Sequence, residues 1–261
     1  MVDIEQLELL YFQNDEPIPY KLKNDGKEYM INVEPILVKD WTLFENCLDV
    51  LLFEKQDYND IDIISMSCLD FIVKILVEVD INYQTKLGYI LKKSCGIDVS
   101  IGTNDKGKIC LWILDEAEMP ISIITSKEFD ELKKIILFQN IYDYDDRYIS
   151  PYIKQLYNDY ISTIKTEAVD PSFERKKTYV ISKTGILMNE INKMSYRVFY
   201  QIYNELVETD LYYANKILQA SEKYEFKKDV CYPLFEKKKD KYDSLFVSKS
   251  SVEGKLGKIN G

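Results

Sequence analysis

The chain has 261 residues, 46% hydrophobic and 30% charged, a balance that supports a core and argues against a disordered or collagen-like polypeptide. Its formal net charge of −10 disfavours nucleic acid as a partner. It contains no histidine, which excludes Ser-His-Asp and Cys-His nucleophiles and His-ligated zinc.

The opening "MVDIEQLELLYFQ" carries acids where a signal peptide carries basic residues. No apolar run approaches the roughly 20 residues of a membrane span, so no membrane contact is expected. "YKLKNDGKEYMINV" alternates apolar and polar residues about Asn24-Asp25-Gly26, which predicts a β-hairpin. "DWTLFENCLDVLLF" predicts a helix burying Trp41, Phe44, Leu48, Leu51 and Leu52, with Asp40 as N-cap. "SCLDFIVKILVEV" predicts a second helix capped by Ser65 or Ser67, and "QTKLGYILKKSCG" a third that stops at Gly96. "IDVSIGTNDKGKICLWIL" reads as a second hairpin turning at "TNDKG", and "PISIIT" as a third strand.

From Thr125 the pattern is helical. Thr125 and Glu128 form a capping-box signature ahead of a stripe of Phe129, Leu132, Ile135, Ile136 and Phe138 or Gln139. Ser150-Pro151 marks the next helix start. Asp170-Pro171 opens another, closed by Gly185; Ser195 caps "YRVFYQIYNELVE", and Asp210 caps "LYYANKILQASEKY". The expectation is an α+β protein in three parts. Residues 1–125 form a mixed domain with two hairpins and three helices, residues 126–225 an all-α domain of about five helices, and residues 226–261 a partly irregular tail. That last part holds nine lysines and five carboxylates, a net of +4, which leaves −14 on the rest.

Little in the sequence carries chemistry. Cys47, Cys68, Cys95, Cys110 and Cys231 are scattered and odd in number, the usage of reduced thiols. No glycine-rich phosphate loop occurs. The tight carboxylate groups are Asp60 with Asp62, and Asp143, Asp145 and Asp146 within "FQNIYDYDDRY". The latter stretch has no central glycine, and Lys154 stands near the position where a calcium loop closes with glutamate. It reads as a link between helices, with at least one of Tyr142, Tyr144 and Tyr148 packed inward and Asp143 and Asp145 facing solvent. Carboxylates converging from separate elements would instead make a metal-dependent nuclease, and that alternative stays open. No catalytic residue, metal or cofactor is assigned.

Two blocks resemble phage tail assembly chaperones of Gram-positive hosts: "FDELKKIILFQNIYDYDDRYISPYIK" and "ERKKTYVISKTGILMNEINKMSYRVFYQIYNEL". A weaker likeness lies in "PLFEKKKDKY", and "INVEPILVKDW" and "DIDIISMSCLDFIV" are similar to a clostridial-type version. The resemblance implies a non-catalytic protein of the host cytoplasm, absent from the mature particle. It would bind and solubilise the tape-measure protein and help recruit tail-tube subunits. A structural tail or baseplate component is the alternative within the same setting, and self-association is open. The expected partner-binding face is a helical hairpin carrying Tyr196, Phe199, Tyr203, Tyr212, Tyr213 and Ile217, beside Leu211, Ala214 and Leu218. Those rings offer more apolar surface than one buried stripe consumes, unless they fill the protein's own core.

Overall fold

A computed structural model describes residues 3–24, 27–164, 170–221 and 230–232. The fold class is α+β, with a two-stranded and a three-stranded antiparallel sheet. By compactness the chain divides into two units, residues 1–148 with 173–204, and residues 149–172 with 205–261.

In the first unit, Asp3 caps α1 (Ile4–Leu7), which passes into a π-helical turn, Glu8–Phe12, that buries Phe12. Strand β1 (Ile18–Asn24) pairs with β2 (Lys27–Val33), Ile18 opposite Val33 and Tyr20 opposite Ile31. Period-2 alternation sends Ile18, Tyr20, Leu22, Ile31 and Val33 inward. Asp25 and Gly26 of the expected turn lie outside the described residues.

Helix α2 (Trp41–Cys47) buries Trp41 and Phe44, then tightens into a 3₁₀ turn, Leu48–Val50. Leu48 and Leu51 are buried as expected, but Leu52 is exposed. Asp40 does not cap this helix; its carboxylate takes a hydrogen bond from Lys93 at 3.0 Å instead. Asp60 caps α3 (Ile61–Ser65) by accepting from the amides of Asp62 and Ile63. Ser67, not Ser65, caps α4 (Cys68–Phe71), accepting from the Asp70 amide at 3.0 Å. A second π-helical turn, Ile72–Leu76, leads to α5 (Val77–Val79). Helix α6 (Asn82–Cys95) ends where Gly96 adopts φ +68°.

Strands β3 (Asp98–Thr103), β4 (Ile109–Leu114) and β5 (Pro120–Thr125) form a meander in that order. Val99 faces Ile113, and Ile101 faces Leu111, as the alternation predicts. Helix α7 (Ser126–Asn140) starts from the expected capping box: the Glu128 amide donates to Thr125 Oγ1, and Glu128 accepts from the Thr125 amide at 2.9 Å.

The division expected at Thr125 is corrected here. Phe129, Leu132, Ile135 and Ile136 of α7 share one core with Leu22, Val33, Phe44, Leu87, Ile113 and Ile124. A sheet with one apolar face needs a helix to cover it, and α7 packs on β5 and α4. Helix α7 therefore belongs with the mixed part.

Helix α8 (Pro151–Ile164) opens the second unit, with Ser150 Oγ accepting from the Ile153 amide at 3.4 Å. Helix α9 (Phe173–Thr184) starts two residues past Pro171, so Pro171 lies ahead of the helix, and Gly185 at φ +75° closes it. The short α10 (Met188–Ile191) follows, its Glu190 carboxylate reaching back to the Leu187 amide at 2.9 Å. Ser195 Oγ accepts from the Val198 amide at the start of α11 (Tyr196–Ala220).

Helix α11 corrects a second expectation. No hairpin separates "YRVFYQIYNELVE" from "LYYANKILQASEKY"; one helix of 25 residues runs through Asp210. Asp210 is an exposed mid-helix residue, because apolar residues continue at helical spacing on both sides of it. Of the expected tail at 226–261, the described residues include only Val230, Cys231 and Tyr232, and "PLFEKKKDKY" lies outside them.

Candidate functional site

A short extended segment, Pro35 to Val38, organises the first unit. The Ile36 amide donates to Asn140 Oδ1 at 2.7 Å, and the Ile36 carbonyl accepts from the Tyr196 amide at 2.7 Å. The Val38 amide donates to the Met194 carbonyl at 3.0 Å, completing a β-bridge between Leu37 and Ser195. Next to it, Gln139 Nε2 donates to the Val33 carbonyl at 3.0 Å. Gln139 and Asn140 are 2% and 1% exposed, so these amides serve as internal brackets. Arg197, also buried, donates through Nη1 to the Phe138 carbonyl at 2.7 Å and pairs with Glu8 at 3.4 Å. Its guanidinium lies 5.2 Å from the Phe12 ring centre and 5.6 Å from that of Tyr142. Asn140 and the run Met194 to Tyr196, one from each of the two resembling blocks, thus meet on this extended segment, with Gln139 bonded beside it to Val33 and Arg197 to Phe138.

The same junction carries an aromatic cluster. Tyr196 stacks on Trp41 with ring centres 3.3 Å apart and planes 3° from parallel. Phe173 meets Tyr196 at 5.9 Å and Phe199 edge-on at 5.5 Å. Tyr200 lies 5.7 Å from Tyr196 and 6.4 Å from Tyr142. Trp41, Tyr142, Tyr196 and Tyr200, with Leu48, Leu52 and Ile141, wall a cleft of about 500 Å³ whose rim carries Glu45, Asp49 and Asp143.

The acidic link divides its labour. Tyr144 turns inward, edge-on to Phe138 at 4.9 Å, and burial pushes its hydroxyl pKa up to about 12. Asp145 accepts from Arg147 Nε at 2.9 Å, and that hydrogen bond holds its carboxyl below the usual range. Asp146 pairs with Lys134, and Asp143 is exposed. Tyr148 donates to Asp57 at 3.1 Å. Asp145 and Asp146 therefore diverge to separate partners, and Asp143 faces solvent. Among the described residues no group of three or more Cys, Asp or Glu is placed to hold a metal ion.

A smaller cleft of about 250 Å³ lies between Phe53, Lys55, Cys68, Asp130, Lys133 and Tyr144. Lys133 Nζ stands 3.7 Å from Cys68 Sγ and 4.1 Å from the Phe53 ring centre. Burial raises the Cys68 pKa, with Lys133 acting the other way, and burial pushes that of Cys95 up to about 12. Raised thiol pKa values keep both in the unreactive thiol form.

The expected partner-binding residues fall into two groups. Phe199 is fully buried, Tyr196 is stacked in the aromatic cluster, and Tyr203 packs edge-on to Tyr179 at 5.9 Å. In the second unit Tyr212 is half-buried against Tyr232, 5.0 Å between ring centres, whose hydroxyl shares a hydrogen bond with Thr209. Tyr213 and Ile217 are exposed, by 58% and 71%, together with Leu211 and Leu218. At about 100° per residue, Leu211, Tyr213, Ala214, Ile217 and Leu218 share an arc of roughly 160° on the helix surface. Tyr212 falls outside that arc.

Sequence reasoning missed Trp41, Tyr142 and Tyr200 as cleft walls. Tyr200 was detectable as the residue one turn from both Tyr196 and Tyr203. Trp41 and Tyr142 come from distant elements and left no local sign. No family model, no curated protein and no solved structure matches the chain. Among the described residues no helix is long and apolar enough to cross a membrane.

Proposed function

We propose that this protein is a non-catalytic assembly chaperone of the phage-tail type. It covers amphipathic helices of the tape-measure protein in the host cytoplasm, helps bring tail-tube subunits to them, and leaves before the particle is complete. The observation that supports this reading most is the exposed apolar arc of α11, formed by Leu211, Tyr213, Ala214, Ile217 and Leu218. A helix of an acidic protein that leaves such a stripe uncovered fits a partner helix laid along it.

Burying a large aliphatic side chain is worth about 1.5–3 kcal/mol. Leu211, Ile217 and Leu218 are 57%, 71% and 40% exposed, so covering them offers roughly 3–5 kcal/mol before association costs of at least about 4 kcal/mol. That range suits a reversible complex, as a chaperone requires. The test is co-expression of the tape-measure protein with and without this chain. Soluble tape-measure protein that co-purifies with the chain is the expected result. Tape-measure protein that stays insoluble in both cases, or this chain found at stoichiometric level in purified particles, contradicts the reading.

A further inference from the structure

The cleft between α2 and α11 differs from the α11 arc in charge. Its walls are Trp41, Leu48, Leu52, Ile141, Tyr142, Tyr196 and Tyr200, and its rim holds three carboxylates. Asp49 is neutralised by Lys86. Glu45 and Asp143 are exposed, and among the described residues neither carboxylate has a hydrogen-bonding or ion-pair partner. Ring faces in this cluster already accept cations: Arg197 lies over Tyr142 and Lys176 over Tyr200 at 5.7 Å. Arg197 is committed to the Phe138 carbonyl and Glu8 and does not pair with the rim carboxylates.

We propose that this cleft seats an apolar side chain of a partner helix together with a neighbouring lysine or arginine, the cation being held by Glu45 and Asp143. The inference rests on the chaperone reading and specifies the chemistry of the partner: an amphipathic helix with basic flanks. Apolar walls take the aliphatic part, aromatic faces and unpaired carboxylates take the charge, and a glutamate at the same place meets repulsion. Selection by charge would let an acidic chaperone distinguish basic amphipathic segments from acidic ones with the same apolar face.

The test uses two synthetic amphipathic helical peptides with one leucine face. One carries lysines on its polar face and the other glutamates, and binding to the full chain is followed by calorimetry at about 0.15 M salt. The lysine peptide is expected to bind at least about tenfold more tightly. Glu45→Gln/Asp143→Asn is expected to weaken it by roughly tenfold. Glu78→Gln/Glu116→Gln removes the same charge from exposed residues that do not line the cleft, and should change affinity less than about twofold. Melting curves of both double variants report whether the fold is kept.

Equal loss in the two double variants, or equal binding of the two peptides, overturns the proposal. So does a concentration-dependent dimer abolished by Glu45→Gln/Asp143→Asn, which would assign the cleft to the basic 226–261 segment of a second copy. The chaperone reading is separated by tape-measure capture in parallel. If Glu45→Gln/Asp143→Asn captures as much as the unmodified chain, the cleft proposal falls and the reading stands. If the unmodified chain captures none while the lysine peptide still depends on Glu45 and Asp143, the reading falls and the cleft's charge selection stands.

Discussion

Replacing Asn140 by alanine removes a buried side chain that joins α7 to the Pro35–Val38 segment. Its Oδ1 accepts the Ile36 amide at 2.7 Å, and its Nδ2 donates to the Ile136 carbonyl at 2.9 Å, at a position 1% exposed. The Ile36 residue is itself 3% exposed, so water does not replace the lost acceptor. Leaving a buried amide unmet costs about 1–3 kcal/mol. At about 2–4 °C per kcal/mol for a unit of this size, the melting temperature should fall by roughly 2–12 °C. Asn140→Asp keeps the acceptor for Ile36 but buries a carboxylate and loses the donor to Ile136. Burial raises that carboxyl's pKa in the folded state, so its deficit should shrink as pH falls towards about 5, where the protonated acid regains a donor. The assay is thermal denaturation followed by circular dichroism, with hydrogen exchange at the Ile36 amide. An alanine variant that melts within a degree or so of the parent, with Ile36 still protected, would refute the bracket.

Arg197→Met should cost about 1–3 kcal/mol, because the Phe138 carbonyl loses its donor while Glu8, largely exposed, remains solvated; an unchanged denaturation midpoint would contradict this. Gly102→Ala places a methyl group against the Trp112 ring, so a loss of about 1–3 kcal/mol and a shifted tryptophan emission are expected. Unchanged emission and stability would show that the ring does not lie there. Tyr144 has its pKa raised from 10.0 to about 12 by burial, so the folded state holds the proton more tightly than the unfolded one. Its contribution is complete below about pH 10 and is lost as pH rises towards about 12. Burial also raises the pKa of the Tyr20 hydroxyl, beside Glu131, so ultraviolet titration should show more than one tyrosine ionising late, and Tyr144→Phe should remove part of that late amplitude; an unchanged late amplitude in the variant would assign it elsewhere.

What was legible in the sequence was local. Thr125 and Glu128 are three residues apart, and their capping box forms as the spacing predicts. The "TNDKG" turn closes through the Asn104 side chain, which accepts from the amides of Lys106 and Lys108 at 3.0 Å. Gly96 and Gly185 end their helices at positive φ, where only glycine is free of strain. Asp210 shows a local signal overridden: aspartate suits a helix start, but continuing apolar periodicity outweighs one cap worth about 1 kcal/mol. The brackets were illegible because their partners are far apart, 104 residues for Ile36 and Asn140 and 59 for Arg197 and Phe138. The π-helical turns at Glu8–Phe12 and Ile72–Leu76 shift each apolar face by a fraction of a turn, which period counting does not register. The partner face was half legible. Phe199 and Ile217 alike fell on the expected partner face, and only packing separates the buried one from the exposed one.

The central claim is that the outer arc of α11 binds and does not support the fold. It is tested most directly by measuring tape-measure capture and melting temperature together for Tyr213→Ala, Ile217→Ala and Tyr212→Ala. Tyr213 and Ile217 are exposed, so both variants should melt with the parent and lose capture by about tenfold or more. Tyr212, packed on Tyr232, should melt early and lose capture only in proportion to the protein unfolded. Full capture by Tyr213→Ala and Ile217→Ala, or early melting of both, would contradict the account.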